Sequence, residues 1–376
     1  MNDARDASAA LHLRARAFVR AFEVGASMPE PFDALATDLA RFQAAHVPGY
    51  ARLCHARGLD ARAFSRAGDA PAVPTDAFKL SRVAAFAEGE ARATFRTSGT
   101  TLGARGTHEM RDPTTYDEAA LAFGRWALAS DLEPGHATPV LVLAPSPDGA
   151  PDSSLSHMLG LFVDRFGEPA SARGQSYFVE GDVLDVASLD ERVARALLED
   201  LPVMLLGTSF AFVHLLDALG EAPFRLPSGS RVMQTGGFKG RSREVEASAL
   251  RRDLAAAFDV SERRIVGEYG MTELSSQFYE GTLRSPSAPI GVYVEPPWAR
   301  VVPVDPETLM PVATGEVGIA RIEDLMNVDS AFAVLAADRV RRVPGGFELL
   351  GRWPGAAPRG CSVAVDEILG AGLAEA

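Results

Sequence analysis

The amino-acid sequence predicts an α/β protein, and two patterns lead to that prediction. Apolar residues recur at helical spacings of three and four over residues 8–66, and from about residue 92 short apolar strands alternate with helical patterns. With 376 residues, 47% of them hydrophobic, the chain can bury a sizeable core. We therefore expect one large domain or two, with or without a small appendage.

Helices are predicted first along the chain. The stretches "LHLRARAFVRAF" and "PFDALATDLARFQAAHVPGYARLCHARG" carry the helical spacing, and Pro and Gly residues punctuate them. We assign residues 1–91 to a helical segment that packs on the main domain.

Apolar strands with polar ends follow the helical segment. They lie in "PVLVLAPSP" at 139–147, "LPVMLLGTSFAFVHLLDAL" at 201–219, "RVMQTGGF" at 231–238 and "RRIVGEYG" at 263–270. Ligands of open α/β sheets bind at the carboxyl ends of the strands, so the loops after these strands are predicted to form one site. After about residue 290 the turns become dense, which predicts a mostly β segment that closes the domain.

Charge and composition exclude several classes of protein. A net charge of −13 and a pI near 5.1 argue against binding to nucleic acid. The chain has no signal-like N-terminus and no long apolar run, so we expect a cytoplasmic protein without a membrane span. The two cysteines, Cys54 and Cys361, exclude a disulfide scaffold, and the histidines lack the spacing of a transition-metal site.

The stretch "TFRTSGTTLGARGTHEM" at 94–110 has the composition of an anion-binding loop. Three glycines and five Thr or Ser hydroxyls lie between Phe95 and Met110, with Arg96 and Arg105 beside them. Exposed backbone, hydroxyls and cations suit an anion with several oxygens, such as a nucleotide phosphate. A Gly/Thr-rich hairpin turn explains the same residues. The usual phosphate loop is excluded, because the chain contains no Lys-Ser or Lys-Thr pair.

The stretch "GEYGMTELSSQFYEG" at 267–281 follows a predicted strand. Such a strand could place Tyr269 against a nucleotide base, Thr272 against a phosphate and Glu273 against a magnesium ion. A strand that ends in a polar turn is the alternative.

Together, "TSGTT-L-GARG" at 97–106 and "YGMTE" at 269–273 resemble the two best-known motifs of the adenylate-forming superfamily, which joins acyl-CoA synthetases, luciferases and peptide-synthetase adenylation domains. The first motif is matched by Ser98, Gly99, Thr100, Thr101 and Gly106. It departs from the family pattern at Leu102, which replaces a Gly, at Ala104, which replaces a Pro, and at Arg105, which replaces a Lys. Three further segments, "QTGGFKG", "LAADRV" and "LLGRWPG", resemble the adenine-contacting segment, the ribose-binding stretch and the hinge of that family.

This resemblance implies that the protein uses ATP and Mg²⁺. The implied nucleotide-binding residues are Thr97, Ser98, Gly99, Thr100, Thr101, Gly103, Gly106, Gly236, Gly237, Phe238, Tyr269, Gly270, Thr272, Asp338 and Arg352. The implied catalytic residues are Cys361, Arg105, Lys239 and Glu273, with Glu273 also the metal ligand, and His157 and Gly236 would line the acyl pocket. Asp338 would hold the ribose hydroxyls. The alternatives are a surface turn for Asp338, a strand-end acid for Glu273 and a packing or capping role for His157.

Short length, an N-terminal helical segment and the ending "ELLGRWPGAAPRGCSVAVDEI" resemble the acyl-protein synthetase, or LuxE-like, branch of the superfamily. The resemblance implies a large N-terminal AMP-binding domain at 92–350, with mixed sheets flanked by helices and a β-rich closing segment. Residues 351–376 would form a hinge and a short remnant of a truncated or missing C-terminal domain. There Cys361 would receive the acyl group, with its pKa lowered by Arg359. As an alternative, Cys361 is a small buried residue.

A lysine in the mobile C-terminal domain is part of the family pattern, but this sequence has no lysine after Lys239. We expect Lys239 or Arg105 to supply the positive charge, or the adenylation to be slow, or a partner protein to assist.

Three functions follow from these residues. The first is activation of a carboxylic acid, expected to be a fatty acid, as acyl-AMP, with transfer through Cys361 to a partner protein such as a reductase or carrier. The second is a CoA or carrier-protein ligase of the phenylacetate type, in which Cys361 is structural. The third is a catalytically silent subunit that binds a nucleotide or an acyl group.

Overall fold

The structure is a computed structural model that describes residues 2–97, 105–132, 138–220, 222–236, 246–355 and 358–370. The helices in these ranges are α1 (Asn2–Glu23), α2 (Phe32–His46), α3 (Pro48–Ala56), α4 (Ala77–Leu80), α5 (Thr114–Leu128), α6 (Ser154–Phe166), α7 (Val186–Leu198), α8 (Ser209–Leu219), α9 (Ala247–Phe258) and α10 (Arg359–Leu369). The strands are β1 (Val73–Pro74), β2 (Ala93–Arg96), β3 (Thr107–Met110), β4 (Val140–Leu143), β5 (Val179–Glu180), β6 (Val183–Leu184), β7 (Met204–Thr208), β8 (Arg231–Thr235), β9 (Ile265–Tyr269), β10 (Phe278–Glu280), β11 (Val292–Val294), β12 (Ala299–Val304), β13 (Val317–Asp324), β14 (Ala333–Val343) and β15 (Gly346–Arg352). Within the described ranges, no helix has the length and apolar character needed to cross a membrane.

The N-terminal helices form where the apolar spacing predicts them. On α1, the side chains of Leu11, Ala15 and Phe18 are buried, and on α2 those of Leu35 and Leu39 are buried in the same way. Residues three or four apart lie on one face of a helix, so each helix buries one stripe of apolar side chains. The helical prediction is confirmed as far as residue 56, where α3 ends.

The chain divides into two compact units. The first unit consists of Met1–Ala122, Met271–Ser276 and Val294–Ala376, and the second consists of Phe123–Gly270 and Gln277–Tyr293. The stretch "YGMTE" therefore passes from the second unit into the first after Gly270.

The second unit contains a sheet in which β4, β7, β8 and β9 are parallel neighbours and β10 pairs antiparallel with β9. Apolar side chains from the strands and from helices α7 to α9 form one buried cluster, which includes Leu141, Leu205, Phe212, Val232, Phe258 and Ile265. Parallel strands that helices cover are buried on both faces, which is why these strands read as continuous apolar runs. The α/β prediction is confirmed, and the carboxyl ends of β8 and β9 place Thr235 and Tyr269 at the same edge of the sheet.

A buried ion pair joins α9 to β10 in the second unit. The Nη2 atom of Arg251 donates to both carboxylate oxygens of Glu280, at 2.7 and 2.6 Å. The same carboxylate accepts the backbone N–H groups of Gly267 at 3.0 Å and Gly291 at 2.8 Å. Arg251 is 5% exposed and Glu280 is 1% exposed, so both charges are satisfied inside the protein rather than by water.

The first unit contains the β-rich segment predicted after residue 290. Strands β12, β13, β14 and β15 form an antiparallel sheet in that order, and β1 pairs in parallel with β14. This part of the prediction is confirmed. Helix α10 follows the sheet and packs against α3 and β1. The turn-rich pattern does not predict this helix.

Candidate nucleotide and acyl site

Strands β2 and β3 form an antiparallel hairpin on either side of the predicted phosphate loop. The backbone N–H of Thr97 donates to the carbonyl of Gly106 at 2.9 Å, and the Thr97 hydroxyl oxygen accepts the Gly106 N–H at 2.8 Å. The predicted residues Ser98, Gly99, Thr100, Thr101 and Gly103 lie outside the described residues. Their roles remain predictions.

Arg105 and Gly106, the first described residues after the loop, differ in their surroundings. The exposed guanidinium of Arg105 lies over the hairpin backbone, where its Nε donates to the carbonyl of Thr97 at 2.7 Å. Gly106 is buried, and a Cβ there would lie 3.0 Å from Cγ2 of Thr97 and 3.4 Å from Cγ of Lys79. A side chain at this position would therefore press on Thr97, which favours a residue without one.

The predicted phosphate and magnesium residues Thr272 and Glu273 lie in the first unit, where a histidine contacts their backbone. Nδ1 of His108, on β3, lies 2.7 Å from the carbonyl oxygen of Thr272, and Nε2 lies 3.0 Å from the hydroxyl of Ser330. Burial lowers the pKa of His108 to about 4, so the ring is neutral at physiological pH. Sequence analysis did not single out His108, although it lies in the quoted stretch 94–110.

The segment 324–330 begins at the last residue of β13 and leads towards β14. It forms hydrogen bonds with residues of Met271–Ser276. Asp324 accepts the Ser275 N–H at 2.9 Å and the Ser276 hydroxyl at 2.6 Å. The Asn327 side-chain amide donates to the carbonyl of Glu273 at 2.9 Å. Burial raises the pKa of Asp324 to about 6, and its hydrogen bonds oppose that rise. Sequence analysis missed this segment, although five of the eight residues of "EDLMNVDS", between two apolar strands, are polar.

Glu273 has the donor chemistry that a magnesium site needs. Its carboxylate is buried, and Mg²⁺ is usually bound by one or two carboxylates together with substrate phosphates and water. A single hard oxygen ligand next to a predicted phosphate contact, Thr272, fits that ligand set.

Two predicted site residues meet across β14 and β15. Asp338 and Arg352 are direct partners in the strand register, and Nε of Arg352 lies 3.3 Å from the Asp338 carboxylate. The guanidinium of Arg352 is largely exposed, whereas Asp338 is mostly covered. The predicted ribose and hinge residues are therefore adjacent.

The second unit places Gly236 at the carboxyl end of β8. Its φ of +75° lies in the left-handed region, which glycine adopts without strain, and its carbonyl accepts the Ser209 hydroxyl at 2.8 Å. Within the described part of the chain, the buried Oε1 of Gln234 has no hydrogen-bond partner. Gly237, Phe238 and Lys239 lie outside the described residues.

Tyr269 and Gly270 end β9 in the second unit. The Tyr269 ring is buried, with ring centroids 6.0 Å from Phe278 and 6.2 Å from Tyr293. A Cβ at Gly270 would lie 2.6 Å from Oε1 of Glu268, so a side chain there would require that carboxyl group to shift. The contact of Tyr269 with a nucleotide base remains a prediction.

His157 lies in the first turn of α6, in the second unit, and is partly buried. The helix is capped by Ser153, whose side chain accepts the Ser156 N–H, so His157 is not the capping residue. Its place in an acyl pocket remains a prediction.

Cys361 is the third residue of α10 in the first unit, and its thiol is buried. Burial, and after it the charge of Asp76, raise the pKa of this thiol to about 11. The prediction that Arg359 lowers this pKa is wrong. Arg359 is exposed, whereas the thiol is buried and the charge that acts on it is the Asp76 carboxylate.

Comparison with known proteins decides the family. The family described as "Acyl-protein synthetase, LuxE" matches residues 31–370, which is most of the chain. The chain belongs to the LuxE acyl-protein synthetase family. A comparison with curated proteins finds no match.

Several solved structures have a similar fold. 2-Hydroxyisobutyryl-CoA ligase in its postadenylation state is 14% identical, with 85% of this chain and 67% of that chain covered and a TM-score of 0.58. The same ligase with 2-HIB-AMP and CoA is 15% identical, covers 85% and 68% and has a TM-score of 0.56. ATP-bound MatB from Rhodopseudomonas palustris is 16% identical, covers 71% and 49% and has a TM-score of 0.49, so the chain spans about half the length of MatB. The predicted fold of the adenylate-forming superfamily is confirmed.

Glu268 precedes Tyr269, the predicted base contact, and is buried. Its burial leads us to expect a stability that depends on pH. Burial raises its pKa to about 7, and the hydrogen bond from the Thr235 hydroxyl opposes that rise. A carboxyl group with a raised pKa in the folded state stabilises the protein below its unfolded pKa, and this stability is lost as the pH rises through 7. We expect the free energy of unfolding of wild type, relative to Glu268→Gln, to fall by about 3 kcal/mol between pH 4 and pH 8.

Urea unfolding of both proteins at pH 4, 6 and 8 measures this difference. Other titrating groups are common to the two proteins and cancel in the comparison. A constant difference at the three pH values would show that Glu268 titrates normally in the folded protein.

Proposed function

We propose that this chain activates a carboxylic acid with ATP, forming an acyl adenylate and pyrophosphate. One observation carries the proposal: within the first unit, His108 joins the hairpin of the predicted phosphate loop to the Thr272–Glu273 backbone. Two segments far apart in sequence, with the residue types that phosphates and magnesium require, are thereby adjacent. Membership of the LuxE family supports the same reaction.

In this reaction a carboxylate oxygen of the substrate attacks the α-phosphorus of ATP. The bond from that phosphorus to the bridging oxygen breaks, and pyrophosphate leaves with the electron pair. The protein has little covalent chemistry to perform, so its contribution is to position the reactants and to stabilise the developing charge.

Different residues would bind the metal ion and the different parts of ATP in the proposed reaction. Glu273 would hold Mg²⁺, which neutralises phosphate charge when bound, and Thr272 would contact a phosphate. Asp338 would accept hydrogen bonds from the ribose hydroxyls. Arg105 and Lys239 are the cations proposed to stabilise the departing pyrophosphate. Among the described residues the buried Oε1 of Gln234 has no hydrogen-bond partner, which supports an adenine contact, since the adenine amino group is a donor.

We further propose that the acid is a fatty acid and that its acyl group passes to Cys361. The thiol loses its proton, the sulfur attacks the acyl carbonyl, and the bond from that carbon to the phosphate oxygen breaks to release AMP. A second transfer would deliver the acyl group to a partner protein. Because the thiol is covered, the residues over it must move before the sulfur can reach an acyl adenylate.

A second candidate function follows from the same thiol. The burial of Cys361 and its raised pKa favour a structural role, since the thiolate is the nucleophilic form. The acyl acceptor would then be CoA or a carrier protein, as in a ligase of the phenylacetate type.

Pyrophosphate exchange tests the adenylation. We expect the wild type to incorporate labelled pyrophosphate into ATP in the presence of Mg²⁺ and one or more acids from a panel of aliphatic and aromatic carboxylic acids. Glu273→Ala should reduce the exchange rate about a hundredfold, as loss of one preorganised electrostatic contact does. Glu199→Ala, at the exposed end of α7, is the control and should exchange at the wild-type rate.

An unchanged exchange rate in Glu273→Ala would remove Glu273 from the site. Absence of exchange with every acid, alongside binding of ATP, would favour the catalytically silent subunit.

A further inference from the structure

His108 is the residue of the hairpin that reaches the "YGMTE" stretch. It lies on β3, two positions after Gly106, and its ring is buried with its centroid 5.9 Å from that of Phe78. A carbonyl oxygen can only accept, so the 2.7 Å contact with Thr272 requires a hydrogen on Nδ1. In a neutral ring, Nε2 then accepts the hydroxyl hydrogen of Ser330 at 3.0 Å.

The contact acts on the peptide unit that carries Glu273. The carbonyl of Thr272 and the N–H of Glu273 belong to one planar peptide, so holding the carbonyl sets the orientation of that plane. Asn327 holds the next carbonyl, that of Glu273, at 2.9 Å. The backbone of Glu273 is therefore held on both sides, from the hairpin by His108 and from the 324–330 segment by Asn327.

We propose that His108 is a positioning residue that sets the Glu273 carboxylate relative to the phosphate-binding hairpin. This inference rests on the proposed function, because it assigns the hairpin to the phosphates of ATP and Glu273 to Mg²⁺. His108 contacts neither group itself, and its effect passes through the Thr272 carbonyl. The donor at Nδ1 carries the effect, and the hydrogen bond at Nε2 only orients the ring.

Two polar substitutions separate the two ring nitrogens. His108→Asn keeps an amide donor near the position of Nδ1 and removes the partner of Ser330. His108→Gln places its amide near the position of Nε2 and removes the donor to Thr272. Ser330→Ala, which removes only the Nε2 contact, is the matched control. The unfolding midpoint of each variant, measured alongside, separates a loss of folding from a loss of binding.

We expect His108→Gln to raise the KM for MgATP in pyrophosphate exchange about tenfold, the effect of losing one hydrogen bond at a buried site. The equilibrium Kd for MgATP, measured by calorimetry without acid substrate, should rise by a similar factor. His108→Asn and Ser330→Ala should stay within about threefold of the wild type in both measurements. A merely structural role would instead lower the unfolding midpoint of all three variants and leave the Kd of the folded protein unchanged.

Equal Kd values in His108→Asn and His108→Gln, with wild-type exchange intact, would overturn the inference and leave the proposed function in place. A larger loss in His108→Asn than in His108→Gln would overturn it as well, because the Nε2 contact would then be the important one. Failure of the wild type to bind MgATP would overturn the inference and the proposed function together.

Discussion

Cys361→Ser is expected to form no stable acyl-enzyme while it continues to exchange pyrophosphate into ATP. The two outcomes separate because adenylation is assigned to the hairpin and to Thr272–Glu273, whereas the thiol lies on α10. The measurement uses a labelled fatty acid with ATP and Mg²⁺, followed by denaturation. Label on the wild type should survive denaturation and be released by neutral hydroxylamine, as a thioester is.

Cys54 is the matched control for this experiment. Both thiols are 5% exposed, and burial raises the pKa of each to about 11, so general thiol reactivity does not distinguish them. Cys54→Ser should therefore label like the wild type. Hydroxylamine-sensitive label on Cys361→Ser would exclude this thiol as the acceptor. A wild type that retains no label, yet releases AMP rapidly when CoA is added, would favour the ligase.

Glu280→Ala is expected to lower the free energy of unfolding by about 3–5 kcal/mol, the typical cost of leaving one charge of a buried pair without its partner. The substitution leaves the Arg251 guanidinium, 5% exposed, without the two oxygens at 2.7 and 2.6 Å. It also removes the acceptor of the Gly267 and Gly291 N–H groups. Equilibrium unfolding in urea at pH 7 measures the change.

An exposed ion pair is the matched control for the buried one. Arg195, on α7, and Glu199, the residue that follows this helix, lie 2.9 Å apart at the surface, where water solvates either charge alone. Glu199→Ala should change the stability far less than Glu280→Ala does. The double variant Arg251→Met with Glu280→Leu should recover part of the loss, because no unpaired charge remains, while the N–H groups of Gly267 and Gly291 still lack their acceptor. Similar losses in Glu199→Ala and Glu280→Ala would show that burial does not determine the value of the pair.

Local pattern predicted the elements of the fold. The spacing of Leu11, Ala15 and Phe18 predicted a helix, and the apolar runs before Thr235 and Tyr269 predicted strands, because these patterns report which face of an element is buried. Local pattern did not predict helix α10, because a short helix after a turn-rich region is stabilised mainly by the elements against which it packs.

The candidate site was predicted only as a set of segments. The motifs led to Thr272, Glu273 and Asp338, but His108 and Asn327, which hold the first two, were missed. His108 contacts a residue 164 positions later, and Asn327 contacts one 54 positions earlier. No local pattern reports a contact over such distances, because the partners meet only after the chain has folded.

The sequence by itself determined the α/β class, the order of the elements and the membership of the LuxE family, because near-neighbour spacing and short motifs carry that information. Only the tertiary structure decided which polar groups are buried together. It joined the hairpin to Glu273 through His108, paired Arg251 with Glu280, and covered the thiol of Cys361. The physical reason is desolvation: the pKa of Cys361 rises because packing removes water from the thiolate, and an exposed Arg359 two positions away does not restore it.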